Sequence, residues 1–162
     1  MGKVRKNIFK GMPCLNKNVT KLLPDKKRLF LGAYGFEPRS LGWVGKQKGR
    51  KAIFDSALLI KYSNPKGKNL EKELRLALSK LCIKKPKNIP YNVNSPYDIE
   101  NKLKEILGPF FQDTEEIVID ISAMTKLLIL VCLSVLSNFP GTIRLVYSEP
   151  DDYPPTKDEY KK

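Results

Sequence analysis

The stretch Glu116-Ile-Val-Ile-Asp120-Ile-Ser122-Ala-Met-Thr125-Lys126, continued by the apolar run Leu127 to Phe139, decides how the chain reads. Ile117, Val118 and Ile119 form the unbroken β-branched run of a strand covered on both faces. Asp120, Ser122, Thr125 and Lys126 then crowd into seven residues where strand gives way to helix. A helix start offers free N–H groups and the positive end of its dipole, and Lys126 adds a full charge. Such a turn welcomes a phosphate or a carboxylate.

Working outward, candidate strands fall at Leu29–Tyr34, Ser56–Tyr62, Asn88–Val93, Glu116–Ile121 and Thr142–Tyr147. Their starts lie 26 to 32 residues apart, the length of a strand plus a crossover helix. The intervening helices are legible. Leu70, Leu74, Ala77, Leu78 and Leu81 share one face of a helix that Asn69 is placed to cap. Ser95-Pro96-Tyr97-Asp98 resembles a capping box with proline at the first position, ahead of the stripe Ile99, Leu103, Ile106 and Leu107. The helix after Lys126 is apolar nearly all round, which suits either a sandwiched helix or a subunit interface. The first crossover is weak, because three glycines between Ser40 and Gly49 leave room only for a short helix.

Alternating strands and helices predict an α/β, Rossmann-like three-layer fold with a five-stranded, mostly parallel sheet. Strand order 3-2-1-4-5 is favoured. In such sheets the ligand crevice opens at the carboxyl ends of the strands, where the order reverses. The loops after strands one and four then face one crevice. Residues 29–162 read as a single domain with a short C-terminal tail. Residues 1–28, with nine Lys or Arg and one Asp, read as a basic arm that is either solvated or touches phosphates or a partner chain, as in a nucleic-acid-binding or assembly protein.

Thirty basic against seventeen acidic residues leave a formal charge of +13, which favours an anionic partner. The absence of histidine excludes Ser-His-Asp and Cys-His catalysis and His-ligated metals. Three cysteines without Cys-x-x-Cys spacing suit a reducing compartment, Cys82 and Cys132 as core residues. The first residues lack a signal-peptide core, and Leu127 to Phe139 is too short to span a bilayer. A cytoplasmic protein with no membrane contact is therefore expected.

The expected ligand-binding residues are Gly32, Tyr34, Gly35, Arg39 and Ser40 in the first loop, and Ser122, Thr125 and Lys126 in the second. Glycines permit close backbone approach, and an arginine grips an anion at two points. Alternatively Arg39 is a solvated surface residue, and Ser122 or Thr125 merely caps the helix while Lys126 reaches into water. Tyr34, Phe36 and Trp43 are of the kind that stack on a base, although Trp43 suits the core better. Lys61, Lys66 and Lys68 would extend a positive rim. Asp120 is open to several roles: bracing the two loops, accepting from ribose hydroxyls, or joining Glu37 and Glu149 around a metal. If the crevice is catalytic, Lys126, Glu37 and Asp120 are its candidates. Neither a dinucleotide fingerprint nor a Walker motif is present, so no cofactor and no resident metal are expected.

At Asp120-Ile-Ser122-Ala-Met-Thr125-Lys126 the chain resembles the CRISPR-associated Rossmann-fold sensor family. That family's motif, Asp-x-Thr-Gly-Gly-Thr-Lys before an apolar helix, is matched at Asp120, Thr125 and Lys126. Ser122 stands for Thr, and Ala123-Met124 replace the glycines. The resemblance spans residues 28 to 148 in layout. It implies a dimeric sensor of cyclic oligoadenylates in prokaryotic antiviral defence, with or without cleavage of the messenger. A partner protein would then carry the output.

Overall fold

The computed structural model describes residues 22, 25–35, 38–63 and 70–149. Five strands form one parallel sheet: β1 (Arg28–Ala33), β2 (Ser56–Tyr62), β3 (Lys87–Tyr91), β4 (Glu116–Asp120) and β5 (Thr142–Val146). Their order is β3-β2-β1-β4-β5, the predicted doubly wound arrangement. All four pairings are parallel, with Leu31 level with both Leu58 and Ile119.

Helices α1 (Gly42–Lys46), α2 (Glu71–Leu81), α3 (Pro96–Leu107) and α4 (Lys126–Leu136) supply the crossovers. α1 and α2 cover one face, and α3 and α4 the other. The apolar strands serve both faces by alternation. Leu29, Leu31, Ile117 and Ile119 pack with Leu103, Leu107, Leu128 and Cys132, while Phe30, Leu59 and Val118 pack with Trp43, Leu74 and Leu78. Trp43 is therefore a core residue, in ring contact with Phe30 and Phe54. Leu22, from the segment read as a basic arm, is buried in this second cluster. Residues 1–21, including Cys14, and residues 23 and 24 lie outside the described residues.

The first crossover is as short as expected, while other local readings change. α1 is only five residues long, as its glycines require, and a 3-10 turn (Pro38–Leu41) leads into it. Ser95 precedes α3 and Pro96 opens it, but the capping box is not formed. The Asp98 N–H goes to the Ser95 carbonyl at 3.2 Å, and the serine hydroxyl makes no cap. Asn69 lies outside the described residues, and Leu70, at the cap position of α2, makes no side-chain cap. The sandwiched reading of α4 is corrected. It buries Leu128, Cys132, Val135 and Leu136 but exposes Leu127 and Leu130, the latter 64% open to solvent.

At the amino ends of the strands lies a buried ionic cluster. Arg28 Nε meets Glu116 Oε2 at 2.5 Å, and Arg144 Nη2 meets Glu116 Oε1 at 2.8 Å. Neither Arg28 nor Glu116 is more than 4% exposed. A charge removed from water needs such pairing. No described helix is long and apolar enough to cross a membrane.

Candidate functional site

Because β1 and β4 are neighbours, the chain leaves both at one edge of the sheet, and the two loops touch. A Cβ on Gly35 would lie 2.8 Å from Ala123 Cβ and 3.3 Å from Ser40 Cβ. The exit of β5 joins them. Ser122 Oγ accepts the Ser148 N–H at 2.8 Å, and a Cβ on Gly42 would come 2.6 Å from Ser148 Oγ. The connections following β1, β4 and β5 are thus packed into one corner.

The turn into α4 is fixed from within and from across the sheet. Thr125 is the helix cap, its Oγ1 accepting the Leu128 N–H at 3.2 Å. The Thr125 N–H donates to the Tyr62 hydroxyl at 3.1 Å, and that hydroxyl donates onward to the Ala123 carbonyl, also at 3.1 Å. Tyr62, at the end of β2, is held by a tilted contact with Tyr91, ring centroids 5.5 Å apart. Burial raises its phenol pKa above the ordinary value. The sequence marked Tyr62 only as the end of a strand; its position at the carboxyl edge, close to the order reversal, was the available signal. Ala123 and Met124 need no glycine-like backbone, since Asp25 and Ala52 are the described non-glycine residues with positive φ.

The expected site residues divide into two groups. Lys126 stands exposed at the first position of α4, and helix geometry leaves the Lys126 and Leu127 N–H groups as orphan donors. Arg39 is half-exposed and reaches Tyr147 Oη with Nη1 at 3.4 Å, on the β5 side of the corner. Gly35 lines the junction.

The other group turns inward. Gly32 lies inside β1, where a Cβ would meet the Phe30 ring at 2.7 Å, and so does not form part of the loop. Tyr34 is buried, its hydroxyl donating to Asn88 Oδ1 at 2.7 Å, so its ring is not available as a stacking surface. Ser40 is buried against Gly35, and Ser122 is committed to Ser148. Lys61 pairs with Glu71 at 2.9 Å. Phe36, Glu37, Lys66 and Lys68 lie outside the described residues.

Asp120 ends β4 on the α1 side of the sheet, two residues beyond Val118. It is 4% exposed. Its Oδ1 accepts the Ser122 N–H at 3.0 Å, bracing the turn, while Oδ2 has no partner among the described residues. Burial, only partly offset by that hydrogen bond, raises the carboxyl to about 6. Among the described residues no three acidic or cysteine side chains converge as metal ligands. Burial also pushes the Cys82 and Cys132 thiols up to about 12, leaving poor nucleophiles.

No family model and no curated protein matches the chain. Among solved structures, the C-terminal domain of a hydrogenase from Pyrococcus furiosus superposes with a TM-score of 0.45 at 16% identity, over 78% of this chain and 96% of that domain. A superposition that loose adds nothing to the fold read from the strand order.

Proposed function

We propose that the carboxyl edge between β1 and β4 binds a phosphate-bearing ligand, a nucleotide or cyclic oligonucleotide messenger. The contact of Gly35 with Ala123 carries this reading, because it joins two loops distant in sequence into one corner. Lys126 and the first N–H groups of α4 would meet the phosphate from one side and Arg39 from the other. The resemblance at Asp120, Thr125 and Lys126 favours a sensor in prokaryotic antiviral defence. Exposed Leu127 and Leu130 suit a two-fold partner on α4.

Calorimetry with cyclic and linear adenylates at low salt tests the reading. Binding should weaken by ~1.5–3 kcal/mol in Lys126→Ala, the worth of a charge-assisted hydrogen bond. Absence of heat at high micromolar concentrations of every adenylate would overturn it.

One observation favours an enzyme in the same corner: Asp120 Oδ2 has no partner among the described residues, and burial raises the carboxyl to about 6. Messenger cleavage or glycosyl hydrolysis would use such a group. Chromatography of nucleotides incubated with wild type and Asp120→Asn separates turnover from binding.

A further inference from the structure

We infer that the amino-end edge of the sheet, opposite the proposed nucleotide site, is a second binding surface, one that takes the phosphate backbone of double-stranded nucleic acid. Two connections meet there. The one from α1 to β2 carries Lys48, Arg50 and Lys51; the one from α2 to β3 carries Lys84 and Lys85, and Lys87 opens β3 directly after it. The five lysines are exposed and Arg50 is half-exposed.

The two segments are tied into one platform. Phe54 and Cys82 form a parallel bridge. The Phe54 N–H donates to the Leu81 carbonyl at 3.0 Å, the Ile83 N–H to the Phe54 carbonyl at 2.9 Å, and the Lys84 N–H to the Asp55 carbonyl at 3.0 Å. Gly49 (φ +90°) and Ala52 (φ +51°) turn the first segment back toward the sheet. Because β2 and β3 are adjacent and the bridge joins Phe54 to Cys82, both basic segments flank the same bridge at the amino end of these two strands. No ion pair involves any of the six among the described residues. The nearest acid in sequence, Asp55, turns inward, its Oδ2 accepting the Arg28 N–H at 2.7 Å.

Six cations on a braced platform repel one another unless an anion of matching extent neutralises them. The apolar content of the surface selects among polyanions. Ile83, 66% exposed, is the large apolar side chain exposed on these connections, and no exposed aromatic accompanies it. A single strand would want aromatic faces for its bases, and a bilayer surface would want an apolar stripe to insert. A duplex offers a continuous phosphate backbone with its bases stacked inside, and contact with that backbone needs neither. A seven-residue strand separates this edge from the nucleotide corner by roughly 20 Å, so both can be occupied together.

The test is fluorescence anisotropy of the full chain with a 20-base-pair duplex at several salt concentrations. Lys48→Ala/Arg50→Ala/Lys51→Ala and Lys84→Ala/Lys85→Ala/Lys87→Ala should each weaken binding at least tenfold. Each should also reduce the slope of log K against log salt by about 0.9 for every phosphate no longer neutralised, ~2–3 in all. Lys102→Ala/Lys104→Ala, on α3 across the molecule, should bind as wild type, separating the surface from net charge. Unchanged thermal unfolding shows that the variants fold. Wild-type affinity in both triple variants, tighter binding of oligothymidine than of duplex, or binding of phosphatidylserine vesicles but not duplex would each overturn the proposal. None of these outcomes bears on adenylate binding by the other edge.

Discussion

The methyl group of Ala123 fills the space that a Cβ on Gly35 would need, the two points lying 2.8 Å apart. One loop carries a side chain at the contact, and the other gives one up. Gly35 has no positive φ, so the constraint is steric rather than conformational. Gly35→Ala should therefore drive the loops apart and destabilise by ~1–3 kcal/mol, the usual range for overpacking. Ala123→Gly in the same chain should restore much of that loss. A double-mutant cycle in urea measures the coupling, and strict additivity would show that the two positions do not compete for space.

Tyr62 provides a second constraint on the same turn. Tyr62→Phe keeps the ring on Tyr91 but leaves the Thr125 N–H and the Ala123 carbonyl without their shared partner. Because the Thr125 end is open to water, a loss of about 0.5–1.5 kcal/mol is expected. Amide hydrogen exchange should speed up at Thr125 while Leu128, held by the Thr125 cap, keeps its protection. Equal acceleration at both amides would mean that Tyr62 supports the helix rather than the turn.

Asp120 makes stability fall as pH rises. Its carboxyl sits at about 6 in the folded chain, above its ordinary 3.8, so the folded state holds a proton that the unfolded state releases. The penalty is absent below about 3.8, grows up to about 6 and is then constant. Asp120→Asn should abolish that limb and stabilise above pH 6 by on the order of 3 kcal/mol. Urea midpoints across the acidic range up to neutrality check this, and a variant that keeps the wild-type slope there would refute the assignment.

Glu116 acts with the opposite sign. Burial opposes its charge, but hydrogen bonds from Arg28 and Arg144 outweigh that penalty and hold the carboxyl below its ordinary 4.5. Its contribution is present above 4.5 and is lost as pH falls through the lowered value. Glu116→Gln should destabilise at neutral pH by ~3–5 kcal/mol, since buried Arg28 loses its counter-charge. Destabilisation below about 1 kcal/mol in chemical denaturation would show that water reaches Arg28.

The layout was readable from the sequence because strand spacing and apolar runs record it directly. β2 has the expected limits, and the order reversal between β1 and β4 follows from the winding rule. What escaped was the fate of polar tips. Tyr34 and Ser122 sit in the right loops, yet their hydroxyls are taken by Asn88 and by the Ser148 amide, 54 and 26 residues away. Tyr62 reaches across 63 residues to Thr125, and Arg28 across 88 to Glu116. Periodicity reports which face a residue occupies; it carries no information about which distant group satisfies a hydrogen bond. The same blindness made Ser95 look like a capping box when only backbone atoms join it to Asp98.

β1 is the middle strand, yet it is the first of these five that a ribosome delivers. β2 and β3 can line up along one flank as soon as they emerge, while the other flank stays bare until β4 is synthesised. Until then the guanidinium of Arg28 has no carboxylate to meet. Completion of the native state is thus a late closure across a long span of chain, slow by its topology, and the half-built sheet with its open side is the species most exposed to wrong pairings.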